Sequence, residues 1–247
     1  MKFKRSIKIK PQRIKSIIPN FITITSLCLG LTSVRLSFEG EFEKAALLIL
    51  TSGLMDFLDG KTARLLKVKS KLGEFLDSLS DMVSFGVAPM FLIYHFALSS
   101  HKKFGWTACL YFSTCMALRL ARFNATLSDE KSISDQYFIG VPAPLGACII
   151  MVPLFFFFET DAVFFQNFTL NFLFVWVSGF LMISTIPVFS LKSIHFSYQQ
   201  VRLILLAGLS LLPFFYTHFY LMLGIIGILS IASIPMSRNY YARKHQI

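Results

Sequence analysis

Asp56-Phe57-Leu58-Asp59-Gly60-Lys61-Thr62-Ala63-Arg64, followed after eight residues by Gly73-Glu74-Phe75-Leu76-Asp77-Ser78-Leu79-Ser80-Asp81, sets four aspartates into largely apolar sequence. Asp56 and Asp59 are three apart and Asp77 and Asp81 four apart. Each spacing puts both side chains on one face of a helix. Unpaired carboxylates crowded together repel one another and resist desolvation, so the arrangement calls for something cationic among them. Divalent metal ions are the candidates.

Working outward, the 247-residue chain is 55% hydrophobic and 15% charged, with a mean hydropathy of +0.63. That is too apolar for a soluble domain of this length and predicts a polytopic membrane protein. The net charge of +11 would suit nucleic-acid binding, but the basic residues cluster beside apolar runs, which is the pattern of membrane orientation. No nucleic-acid partner is therefore expected. Cys28, Cys109, Cys115 and Cys148 all sit inside apolar runs without close pairing and read as buried free thiols. The first apolar run is of spanning length, so a cleaved signal peptide is not expected.

Residues 1–16 form a basic arm, suited to anionic headgroups or, equally, to a disordered tail. Apolar segments are expected at about 17–36, 42–66, 72–98, 104–123, 143–158, 170–189, 201–216 and 219–236. Lys61, Arg64, Lys67, Lys69 and Lys71 mark the connection between the second and third segments as cytosolic. Lys192, His195 and Arg202 mark a later inside loop, and 238–247 reads as a basic cytosolic tail. The fold expected is an all-α bundle of about eight transmembrane helices, with both termini and a polar cavity facing the cytosol and 17–237 as the catalytic domain. No internal repeat supports a transporter of inverted halves.

An intramembrane charge costs about 2.5–3.5 kcal/mol on insertion scales, so four carboxylates in one layer point to a functional site. Hard oxygen ligands suit Mg²⁺ or Mn²⁺, and magnesium is commonly shared with substrate phosphates, which makes a diphosphate ligand the natural expectation. Gly60 and Ala63 leave room for a ligand or, alternatively, for helix packing, and Arg64 can pair with phosphate oxygens. Asn20 and Thr23, three apart, share a face and serve either the site or helix capping.

The eight positions Asp56, Asp59, Gly60, Ala63, Arg64, Gly73, Asp77 and Asp81 match the signature of the CDP-alcohol phosphatidyltransferases, and the chain resembles that family. The resemblance implies a membrane enzyme using two metal ions, in which an alcohol attacks the lipid-side phosphorus of a CDP-linked lipid such as CDP-diacylglycerol and CMP leaves. It implies Asp56, Asp59, Asp77 and Asp81 as metal ligands, with Asp81 also the general base. Asn20, Thr23, Asp56, Gly60, Ala63 and Arg64 are then implied at the CDP site, and a homodimer in the cytoplasmic membrane of a prokaryote is implied as the setting. Gly73 reads instead as a packing residue.

The run Asp77 to Pro89, the Arg119–Asn124 element and Gly140 to Pro144 resemble the branch of that family whose acceptor is L-serine. Serine carries a carboxylate, which Arg119 or Arg122 can take bidentately beside Asn124. The plainer reading has these arginines only anchoring a cytosolic helix end. Glycerol 3-phosphate, an inositol phosphate or choline are alternative acceptors for the same chemistry. A carboxylate-lined cation transporter would explain the charge but leaves Gly60, Ala63 and Arg64 without a role.

Overall fold

An apolar run after Ser16 forms the first helix of the computed structural model, which describes residues 15–68, 70–128, 137–184, 187–189 and 217–245. This helix, α1 (Ile17–Phe38), carries Pro19 in its first turn, where a missing backbone N–H costs nothing. Gly40, at φ 79°, reverses the chain into α2 (Phe42–Leu65). Lys67 then adopts the left-handed conformation at φ 52°, and the amides of Lys67 and Val68 bond the carbonyls of Arg64 and Ala63 at 3.2 and 3.1 Å. This is a Schellman closure that normally favours glycine.

Ser70 caps the next helix, α3 (Lys71–Asp81), by accepting the Gly73 amide at 3.0 Å. A single helix was expected over 72–98. The structure instead widens after Asp81 into a π-helical turn, Met82–Val87, before α4 (Ala88–Phe96). Pro89 gives the reason: its ring lacks an N–H and crowds the carbonyl four residues back, and an extra residue in the preceding turn relieves that contact. A 3₁₀ turn, Leu98–His101, leads into α5 (Lys102–Ser128).

The expected fifth segment is two helices, α6 (Ala143–Ile150) and α7 (Val152–Thr160), bent by 46° at Met151. Pro153 in the first turn of α7 removes a donor that a continuous helix would need. Then follow α8 (Phe168–Ile183) and α9 (Phe219–His245), the latter running on through most of the expected tail. A minimal antiparallel ladder joins β1 (Tyr137–Ile139) to β2 (Pro187–Phe189), an addition to the all-α expectation. Among the described residues, Ile17–Phe38 and Lys71–Phe96 are long and apolar enough to cross a membrane, and the bent α6–α7 pair makes a third if taken as one span. The expected arm to residue 14, the 201–216 segment and the Lys192–Arg202 loop lie outside the described residues.

Polarity is distributed as in a protein whose solvent is lipid. Phe21, Leu31, Leu54, Phe57, Leu72, Phe75, Leu79 and Phe180 are each more than half exposed, while Ser26, Ser33, Ser52, Ser84, Asn171 and Ser178 are buried. The buried hydroxyls bond carbonyls of neighbouring helices: Ser26 to Ser52 at 3.0 Å, Ser33 to Ala45 at 2.9 Å and Ser84 to Ser26 at 3.2 Å. Small residues let α1, α2 and the α3–α4 rod approach closely along this seam. At the opposite end from the aspartates, His218 pairs with Glu159, and the Tyr220 hydroxyl donates to Glu43 at 2.8 Å. Those contacts tie α9 to α7 and α2.

Candidate active site

The Schellman turn after α2 and the Ser70 cap on α3 bring the last turns of one helix beside the first turns of the next. Asp56, Asp59 and Asp77 therefore converge, with one carboxylate oxygen from each lying within 4.8 Å of the others. Asp81 is one turn further along α3, within hydrogen-bonding reach of Asp56. Like charges this close are unstable alone, and none of the ion pairs seen among the described residues, Arg35–Glu39, Lys44–Glu41 and His218–Glu159, touches them. Three convergent hard oxygen donors with a fourth adjacent fit a divalent cation such as Mg²⁺ or Mn²⁺.

Beside the aspartates opens a cleft of about 150 Å³, continuous with solvent and lined by Asn20, Thr23, Asp59, Gly60, Ala63 and Asp77 among others. A Cβ added to Gly60 would meet nothing within 4 Å, so this glycine faces open space and packs against no helix. At Gly73 the same addition would lie 3.0 Å from both Asn20 Oδ1 and Ser70 Oγ, which makes it a packing residue as expected, although it too borders the cleft. Thr23 does not cap its helix: its hydroxyl lies 3.0 Å from the Pro19 carbonyl and 2.5 Å from Asp59 Oδ2.

The remaining expected residues are placed less uniformly. Arg64 is exposed, its Nε donating to the Gly60 carbonyl at 3.1 Å. Arg119 donates through Nε to the Val141 carbonyl and stands near enough to Asp81 for their charges to interact. Arg122 donates from Nη1 to the Ile183 carbonyl at 2.9 Å, so Arg119 holds the backbone at the α6 entry and Arg122 holds the end of α8. Asn124 pairs with Ser78 of α3. Ser70 and Glu74, which also line the cleft, were not anticipated there. The serine three residues before Gly73, ahead of an amphipathic run, was the readable signal for the Ser70 cap.

A helical fold with apolar outer faces and three aspartates converging beside a cleft has the character of a membrane protein with a carboxylate cluster of the kind that holds a divalent cation. Comparison gives that class its family: the chain matches the CDP-alcohol phosphatidyltransferase domain over residues 16–188 and belongs to that family. Over 231 residues it is 35% identical to the CDP-diacylglycerol–serine O-phosphatidyltransferase of Mycobacterium leprae, covering 90% of this chain and 74% of that one. It is 32% identical to the Helicobacter pylori (strain 26695) enzyme of the same name over 196 residues, 76% of this chain and 78% of the relative. The like-named Mycobacterium tuberculosis (strain H37Rv) enzyme is 39% identical over 133 residues, 53% of this chain but only 46% of that longer protein.

Proposed function

We propose that this protein transfers the phosphatidyl group of CDP-diacylglycerol to the hydroxyl of L-serine, giving phosphatidylserine and CMP, a step of phospholipid biosynthesis. The observation that carries the reading is the convergence of Asp56, Asp59 and Asp77 at a cleft that Gly60 leaves open. The names of the relatives supply the acceptor.

Asp56, Asp59, Asp77 and Asp81 would hold Mg²⁺ or Mn²⁺, two ions in the family's manner, and ions bound there neutralise the diphosphate and the departing CMP. Asn20, Thr23, Gly60 and Ala63, which line the cleft, would surround the CDP moiety with Asp56 beside it, and exposed Arg64, next in sequence to Ala63, suits a phosphate oxygen. Asp81 takes the proton of the serine hydroxyl as its oxygen bonds to the lipid-side phosphorus and the bond to the CMP oxygen breaks. No covalent intermediate is invoked, since no serine, cysteine or histidine paired with a base is evident in the motif. Arg119, whose charge interacts with that of Asp81, would receive the serine carboxylate, with Arg122 and Asn124 supporting the same helix end.

The setting that suits this chemistry is a bundle of eight spans over 17–237, a basic arm at 1–16 and a basic tail at 238–247, with both termini and the cleft cytosolic. The prokaryotic cytoplasmic membrane and a homodimer complete the reading. Feeding purified protein CDP-diacylglycerol with labelled serine, glycerol 3-phosphate or choline in separate reactions tests it. Label should enter lipid from serine; lipid labelled only by another alcohol overturns the acceptor, and none with any alcohol overturns the reaction.

A further inference from the structure

We infer that Thr23 is a positioning residue for Asp59, fixing which oxygen of that carboxylate is offered to a cation; the inference rests on the metal site proposed above. Thr23 and Asp59 are 5% and 4% exposed, so little of either side chain is open to water. A hydroxyl has one hydrogen, and Thr23 Oγ1 has two acceptors in reach, the Pro19 carbonyl at 3.0 Å and Asp59 Oδ2 at 2.5 Å. The shorter contact, to an ionised acceptor, is the stronger one and takes the proton.

That bond engages Oδ2, in a carboxylate that has one oxygen within 4.8 Å of an oxygen of Asp56 and one of Asp77. The Thr23 backbone carbonyl meanwhile accepts the Ser80 hydroxyl at 3.1 Å, immediately before Asp81. One residue of α1 thus orients a carboxylate of α2 through its side chain and anchors α3 through its backbone. Groups that hydrogen-bond a ligating carboxylate set its direction and basicity, and their loss typically weakens metal binding about 10–100-fold. A nucleotide donor in the cleft can still reach a lone pair of the same hydroxyl oxygen, so the two uses of Thr23 are compatible.

The test is Mn²⁺ affinity, read by electron paramagnetic resonance on the purified full chain in detergent with no substrate present. Thr23→Val and Thr23→Ala should weaken Mn²⁺ binding at least about tenfold, while Thr23→Ser, which restores the hydroxyl, stays within about threefold of the wild type. Ser26→Ala removes a hydroxyl bonding α1 to α2 one turn away without touching Asp59, and should leave the affinity unchanged. Wild-type affinity in whichever of the valine and alanine chains folds, or an equal loss in Ser26→Ala, overturns the inference. A wild-type chain that binds no Mn²⁺ overturns the metal site beneath it, a failure told apart because no variant is needed to see it.

Discussion

Ser78 of α3 and Asn124 of α5 hydrogen-bond to each other, at 3.1 Å to Asn124 Oδ1 and 2.9 Å from Asn124 Nδ2. Ser78 directly follows Asp77, so this pair is where α5 grips the helix that carries two of the four aspartates. Removing either partner should cost about 1 kcal/mol, and a double-mutant cycle of Ser78→Ala and Asn124→Ala should show coupling of about 0.5–1 kcal/mol. Unfolding midpoints in detergent measure the cycle. Strict additivity would mean the contact contributes nothing.

Gly60→Ala separates ligand space from packing space. Alanine is favoured over glycine inside a helix by about 1 kcal/mol, and here the new methyl meets no atom within 4 Å, so the chain should be as stable or slightly more so. Its methyl enters the cleft, and the apparent KM for CDP-diacylglycerol should rise about tenfold or more. A stable variant with unchanged kinetics would place the CDP moiety elsewhere.

Gly30→Ala should do the reverse. A Cβ there would lie 2.8 Å from Ser84 Oγ and 3.0 Å from Ser84 Cα, at the crossing of α1 with the π-helical turn. Overpacking of this kind costs about 1–3 kcal/mol, which a lowered unfolding midpoint would report. Because Ser84 follows Asp81 by less than a turn, turnover should fall with stability.

Arg119→Lys keeps the charge near Asp81 but loses the planar fork and the Nε donor to the Val141 carbonyl. The expected result is a serine KM raised about tenfold, with a smaller change in the KM for CDP-diacylglycerol. Equal changes in both would return Arg119 to the simpler role of holding the α6 entry.

The placing of the four aspartates was legible because spacing on a helix is a strong constraint and five basic residues located the connection between α2 and α3. The start of α1 was legible from Pro19, a chemical marker in the first turn, whereas the Ser70 cap on α3 was not anticipated. Hydropathy could not reveal the π-helical turn, since Pro89 is visible in sequence but the turn that accommodates it lies upstream. Nor could it show the 46° break at Met151, where Pro153 sits in an unbroken apolar run. The family resemblance already set Gly60 apart from Gly73, and tertiary neighbours give the reason, open space at one and the Asn20 contact at the other. The Ser78–Asn124 pair joins residues 46 apart, a distance over which no local pattern speaks.

Purified protein given CDP-diacylglycerol and labelled L-serine, stripped with EDTA and then resupplied with Mn²⁺ or Mg²⁺, weighs the aspartate cluster and the reaction together. Phosphatidylserine and CMP should form in equal amounts with the ion, vanish without it and return on resupply, with Asp81→Asn silent throughout. Undiminished phosphatidylserine formation in EDTA would contradict the assignment of Asp56, Asp59, Asp77 and Asp81 as a metal site.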